Sequence, residues 1–335
     1  MIILIGAYLF FVFCFFKFFN KFSIILDIYD VPDNRKLHEK KISLAGGVYL
    51  FICIYAYLIV AIIFDANNIE YLFKIRTEYF NFLIFSFLFF IIGFIDDKKN
   101  ISSNIKIVLF FILILFAVSI DPRLNVEILY FSFIENKILL QNFSVIFTIF
   151  SIFIFINALN MYDGSNGQLG LYSLIFIIYI SYKFNSLLTL NLIIPLIFFL
   201  YLNFKNFSFA GNSGSYFLGF FFSYMVLKIY EFDFIKSDEI VLLMFYPVVE
   251  LVRLFFFRIY NNKNPFLADR SHIHHILQNS KLSNNKIQII LFLINALPLI
   301  VYELTRINIL FFLLINIIVY YMIVSKKLFF QKNKQ

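Results

Sequence analysis

The sequence predicts an all-α polytopic membrane protein with about eleven transmembrane helices, its N-terminus outside and a small periplasmic hairpin. Three observations predict it. Of 335 residues, 62% are hydrophobic and only 14% charged, against about 25% charged in soluble domains. The apolar stretches recur at lengths near the ~20 residues a helix needs to cross a hydrocarbon core. The cations between those stretches are unevenly shared. A mean hydropathy of +0.87 excludes a soluble globular enzyme, a disordered chain and a secreted disulfide scaffold. A net charge of +8 without a basic helix or arm suits anionic lipid and orientation rather than nucleic acid. Cys14 and Cys53 each sit inside an apolar run with no ligand neighbour, so neither a disulfide nor zinc is implied.

The first apolar stretch, 2–20, has its cations Lys17 and Lys21 at its end. A signal peptide has the opposite polarity, so this stretch reads as an uncleaved first span. The others fall at 45–64, 79–95, 105–120, 144–160, 169–183, 187–203, 214–231, 239–257, 286–303 and 307–325. A backbone in lipid must satisfy its own hydrogen bonds, so each reads as a helix. Val126–Phe133 and Lys137–Phe143, separated by Glu135 and Asn136, read as two short strands of a hairpin.

If the first span ends inside, alternation fixes the remaining loops. The inner segments then carry 20 lysines and arginines and the outer ones 8, recovering all 28. This follows the positive-inside rule and played no part in choosing the spans. All four histidines, and Asp96, Asp97, Asp163 and Asp269, fall inside. Few charges lie deep in the spans, which argues against an ion path. The chain reads as one integral membrane domain whose inner loops 21–44, 96–104, 161–168, 204–213 and 258–285 form the site.

Five clusters there could carry chemistry. Asp30 to His38, followed by Gly46 and Gly47, offers Arg35, Lys36 and His38 to phosphate, Arg as a fork and Lys as a point charge; an ordinary positive-inside loop would look similar. Asp96 and Asp97 lie side by side at a helix C-terminus, where the dipole is already negative. They need a cation, a metal or a proton-transfer role, and Lys98 and Lys99 are one source of compensation. Asn157, Asn160 and Asp163 follow at three-residue steps, one stripe of a helix, ahead of Gly164, Asn166 and Gly167. Three oxygen donors on a stripe suit a hard cation. Gly211, Asn212, Ser213, Gly214 and Ser215 precede a helix start and read as an anion nest or as a cap by Ser213 or Ser215. Asp269, Arg270, Ser271, His272, His274 and His275 form the densest cluster. Without a cysteine or carboxylate set to complete a zinc site, it suits a diphosphate.

In order and spacing, from Asp30 to His275, these clusters resemble the polyprenyl-phosphate N-acetylhexosamine-1-phosphate transferases, glycosyltransferase family 4. The Asp269 to His275 segment is similar to the GlcNAc-1-phosphate branch. The resemblance implies transfer of a sugar 1-phosphate from a UDP-N-acetylhexosamine to polyprenyl phosphate, releasing UMP, as a first membrane step of cell-surface glycan synthesis. It implies Mg²⁺, with Mn²⁺ as a substitute, a multi-pass protein of the bacterial cytoplasmic membrane with its site facing the cytoplasm, no nucleic-acid partner, and it allows a homodimer. It implies catalytic roles for Asp96, Asp97, Asp163 and His274. Metal contacts fall to Asn160, Asp163 and Asn212, and substrate contacts to Arg35, Lys36, His38, Asn157, Asn166, Asp269, Arg270, His272 and His275. The family usually has Asp where this chain has Asn212, Asn166 and Glu250. An impaired relative acting as a scaffold, and a lipid-linked sugar transporter, are the alternatives; a transporter predicts broken helices at mid-membrane, which the sequence does not clearly show.

Overall fold

The computed structural model describes residues 2–32, 40–64, 73, 76–184, 190–264, 271–280 and 282–332. Among them are thirteen α-helices: α1 (Ile2–Lys17), α2 (Phe19–Leu26), α3 (Ala45–Phe64), α4 (Arg76–Lys99), α5 (Ser103–Ile120), α6 (Ser144–Tyr162), α7 (Gln168–Phe184), α8 (Ile193–Phe204), α9 (Gly211–Glu231), α10 (Ser237–Tyr260), α11 (Ile273–Asn279), α12 (Asn284–Thr305) and α13 (Ile309–Lys332). A helix lies on every one of the eleven predicted stretches. Among the described residues, five helices are long and apolar enough to cross a membrane, or six if α1 and α2, bent by 63° at Phe18, are one span. The chain is thus a polytopic helical membrane protein.

The centre of the bundle is α9. Every residue from Ser213 to Tyr230 is buried, and a helix apolar all round must be enclosed by others. Its neighbours are chiefly α4, α6 and α3. Small residues set the closeness of these contacts, as expected where backbones pack without a hydrophobic driving force. A Cβ on Gly93 of α4 would lie 2.3 Å from the Asn212 carbonyl oxygen, and one on Gly47 of α3 would lie 2.2 Å from that of Ala210. Further along, the bundle is filled by rings: Phe89 stacks on Phe220 at 4.7 Å and Phe176 on Phe222 at 4.2 Å. A phenylalanine ring fills such space with no polar hydrogen to satisfy, whereas a tryptophan, absent from this chain, would bring an N–H that needs a partner.

At one end of α4 sits a buried ion cluster. The Lys228 ammonium, with no exposed surface, lies 2.8 Å from Asp121 and 3.0 Å from Glu78, and Arg123 reaches Glu78 at 2.7 Å. Opposite charges offset each other here, so removing one member costs far more than the pair contributes. Lys228→Met is expected to destabilise the protein by about 3–5 kcal/mol; a thermal melt in detergent matching wild type would show the cluster is not closed.

The same end carries an antiparallel hairpin of β3 (Ile128–Phe131) and β4 (Ile134–Leu139), with Ile128 opposite Leu139. The hairpin is as predicted but its turn is not. Glu135 and Asn136 lie inside β4, and the turn is Ser132–Phe133. The cause is tertiary: the Ser132 N–H donates to Asp238 Oδ2 at 2.9 Å, its hydroxyl donates to the same oxygen, and the Tyr130 N–H donates to the Tyr230 hydroxyl at 2.9 Å. At the other end of the bundle a two-residue ribbon, β1 (Tyr29–Asp30) with β2 (Ile42–Ser43), is tied to the segment after α8. The Phe209 N–H donates to the Ser43 carbonyl at 2.8 Å, and the Gly46 N–H to the Phe209 carbonyl at 3.1 Å.

Candidate active site

That ribbon helps to wall a cavity of about 1090 Å³ at the end of the bundle opposite the hairpin. Asp30, Lys40, Lys41, Asp163 to Asn166, Asn203 to Phe207, His275 and Asn284 line it. Four of the five predicted inner segments therefore meet on one space. Arg35, Lys36, His38, Asp269 and Arg270 lie outside the described residues.

No residue of the segment 96–104 is among those lining the cavity, and within it the two adjacent carboxylates part company. Asp96 is buried, and both its oxygens are engaged. Oδ1 accepts the Ile101 N–H at 2.8 Å, and Oδ2 accepts Lys106 Nζ at 3.0 Å and the Tyr216 hydroxyl at 2.8 Å. Asp97 turns instead to the start of α9. Its Oδ1 accepts the Asn212 N–H at 2.7 Å and its Oδ2 the Ser213 N–H at 3.0 Å. The positive end of α9 thus meets the negative end of α4, which answers the electrostatic problem the pair posed. The anion nest predicted at Gly211–Ser215 is filled by this carboxylate, and no serine side chain caps α9. Gly211 adopts φ +66°, and a Cβ there would lie 2.6 Å from Asp97 Oδ2; only glycine permits both.

Asp163 ends α6 beside the cavity. Burial pushes its carboxyl up to about 7, and the charge of Asp97 adds to the rise. A carboxylate raised by burial and by the charge of Asp97, with the Asn160 amide on the same stripe, is a donor set that fits a hard divalent cation. Asn160 is on that stripe and accepts the Ser215 hydroxyl through Oδ1 at 2.7 Å, while Asn157 donates to the Phe153 carbonyl at 2.8 Å. Among the described residues, no three histidine, cysteine or carboxylate side chains converge on one point. An ion here would therefore draw further ligands from water and phosphate oxygens, as magnesium commonly does.

The histidine segment lies directly over Asp163. A Cβ on Gly164 would fall 1.9 Å from His274 Cε1, so the ring rests on the glycine. His274 is buried, and burial first, then its neighbours His275 and His272, hold its pKa well below the usual imidazole range. Burial thus disfavours the cationic form of this ring. His275 lines the cavity and its Nδ1 is 3.0 Å from Gln278 Oε1. Asn166 reaches Asn206 across the cavity edge, and its carbonyl accepts Asn284 Nδ2 at 3.2 Å. The N-terminus of α11 is capped from another helix, as α9 is: the Ile273 N–H donates to Glu250 Oε1 at 2.7 Å.

Sequence reasoning missed Lys106, Tyr216, Asn203 and the lysines Lys40, Lys41 and Lys205. The lysines carried a signal in the inward bias of cations. Tyr216 carried none, since a tyrosine next to a serine in a spanning helix is ordinary.

Comparison with known proteins agrees with the residues. Residues 79–230 match the model of the family described as glycosyl transferase family 4, a stretch holding Asp96, Asp97, Asn160, Asp163 and Asn212. The chain is 27% identical over 250 residues to the undecaprenyl-phosphate alpha-N-acetylglucosaminyl 1-phosphate transferase of Thermotoga maritima, covering 74% of this chain and 72% of that one. It is 25% identical over 287 residues to the probable undecaprenyl-phosphate N-acetylglucosaminyl 1-phosphate transferase of Bacillus subtilis, covering 82% and 76%. The matched segment runs through the capped carboxylate and the polar stripe of α6, and over it the chain resembles glycosyl transferase family 4; the relatives it is similar to are named as 1-phosphate transferases.

Proposed function

We propose that the protein transfers an N-acetylhexosamine 1-phosphate from its UDP-sugar to polyprenyl phosphate at the cytoplasmic face of a bacterial membrane that it crosses eleven times. The observation that carries this reading is the cavity itself. Lys40, Lys41 and Lys205 line it together with Asp163 and His275, at one end of an apolar helical bundle. A soluble dianionic diphosphate can enter from water while a lipid phosphate arrives along the helices. The relatives named above, and the 20-to-8 cation bias, support the acceptor and the orientation.

In the proposed reaction an oxygen of the lipid phosphate attacks the β-phosphorus of the nucleotide sugar. The bond from that phosphorus to the bridging oxygen breaks, and UMP leaves with the electron pair. Catalysis of such a transfer is mostly positioning and charge neutralisation. A bound Mg²⁺, held by Asp163 with Asn160 and Asn212 near it, would neutralise the diphosphate. The lysines bind phosphate oxygens. Asp97 fixes the start of α9 and so the place of Asn212. Buried His274, seated on Gly164, walls the site beside Asp163. Incubating purified protein with Mg²⁺, UDP-GlcNAc and undecaprenyl phosphate should release UMP; no release with any UDP-N-acetylhexosamine, across Mg²⁺ and Mn²⁺ concentrations, would sink the proposal.

Asn212 is the observation that favours the scaffold alternative, because its amide offers a metal no charge. A unit charge a few Å from an ion contributes several kcal/mol at an effective dielectric of about 20 before desolvation. Asn212→Asp is therefore expected to lower the Mg²⁺ concentration for half-maximal UMP release by about tenfold or more. An unchanged Mg²⁺ titration removes Asn212 from the ion, and a natural protein that is inert until Asn212→Asp is made is a scaffold.

A further inference from the structure

The last helix of the chain takes no part in the cavity, yet it sends one polar stripe inward. Ile309, Phe312, Asn316 and Tyr320 are buried, while Phe311, Leu314, Ile318 and Tyr321 are exposed. The spacing of three and four residues puts the buried set on one face. The two polar members meet α10. The Tyr246 hydroxyl donates to Asn316 Oδ1 at 3.2 Å. One turn further, the Tyr320 hydroxyl donates to Glu250 Oε2 and accepts Arg253 Nε at 2.6 Å.

Glu250 and Arg253 hold the histidine segment. Glu250 Oε1 accepts the Ile273 N–H at 2.7 Å and Arg253 Nη2 at 2.8 Å. Arg253 Nη2 also donates to the Ser271 carbonyl at 2.7 Å. His272 Nδ1 lies 3.8 Å from Glu250 Oε1. The start of the segment that seats His274 on Gly164 and His275 in the cavity is thus gripped by a carboxylate and a guanidinium. Their other edges are joined by a single hydroxyl, that of Tyr320, 70 residues after Glu250 and 67 after Arg253.

We propose that Tyr320 is a positioning residue for the transfer, acting through Glu250 and Arg253 to hold His274 and His275 over Asp163. That it serves the transfer rests on the function proposed above. Tyr320→Phe keeps the ring and the packing and removes only the hydroxyl, leaving Glu250 Oε2 with a weaker 3.3 Å contact to Arg253 Nε. A buried carboxylate short of a donor relaxes its neighbours.

The test compares Tyr320→Phe with Tyr246→Phe in the full-length protein. The second variant removes the adjacent hydrogen bond between the same two helices, one that ends on Asn316 rather than on Glu250 or Arg253. Tyr320→Phe should lower kcat about tenfold with KM for both substrates within twofold. It should also speed carbethoxylation of His274 by diethyl pyrocarbonate about fivefold or more, read by mass spectrometry. Tyr246→Phe should change neither. Wild-type histidine reactivity in Tyr320→Phe, or the same changes in both variants, would overturn the proposal and leave ordinary helix packing. If the wild-type protein releases no UMP, the functional reading fails while histidine reactivity still decides whether Tyr320 positions the segment.

Discussion

Asp97→Asn is expected to lower kcat by two orders of magnitude or more, the scale of lost metal assistance or misplaced reacting groups. The carboxylate accepts two backbone N–H groups, one through each oxygen. An asparagine can accept only one and would set its own N–H₂ against the other. It would also delete the charge that adds to the rise at Asp163. Asp96→Asn should act differently. Its oxygens serve Ile101, Lys106 and Tyr216, so the variant strands a lysine and loosens α5 from α9. About 1–3 kcal/mol of stability should go, with a kcat loss nearer tenfold. Steady-state kinetics with thermal melts on both variants checks this. Equal kcat losses with unchanged melting would mean the two carboxylates work as one chemical unit.

Gly164→Ala is expected to be as damaging, for a steric reason. The added methyl would sit 1.9 Å from His274 Cε1 and 2.6 Å from Nε2. The ring cannot swing away freely, because it is buried and its segment is gripped by Glu250 and Arg253. A displacement of about 1 Å beside reacting groups can cost about 100-fold, so kcat should fall by that order. The double variant Gly164→Ala with His274→Ala should be no slower than His274→Ala alone, since the clash disappears with the ring. Additive losses would place the fault at Gly164 itself, and wild-type kcat in Gly164→Ala would separate His274 from Asp163 during turnover.

Much of the site is legible in the residues alone. The amide stripe of α6 follows from helical spacing, and the need of Asp96 and Asp97 for compensation follows from the helix dipole. What supplies that compensation is not legible. Lysines Lys98 and Lys99, the nearest candidates in sequence, are not the groups that meet these carboxylates. Lys106, Tyr216 and two amides of α9 do so, the last three more than 110 residues away. Likewise the hairpin is foreseen, but its turn is shifted because Asp238 binds Ser132.

The sequence by itself determined that the chain is built of apolar helices, one on each predicted stretch, and that several are long enough to cross a membrane. Bilayer thickness and the backbone's need for internal hydrogen bonds leave no other reading of such apolar stretches. Only the tertiary structure decided which side chains face one another. A helix such as α9 is buried on every side, so no amphipathic stripe in its sequence says how it is turned about its axis. That rotation is set by close contacts such as Gly93 and Gly47 against the backbone of α9. It decides that Tyr216 meets Asp96 and that the first amides of α9 meet Asp97. The same kind of helix-to-helix contact brings Tyr320 to Glu250.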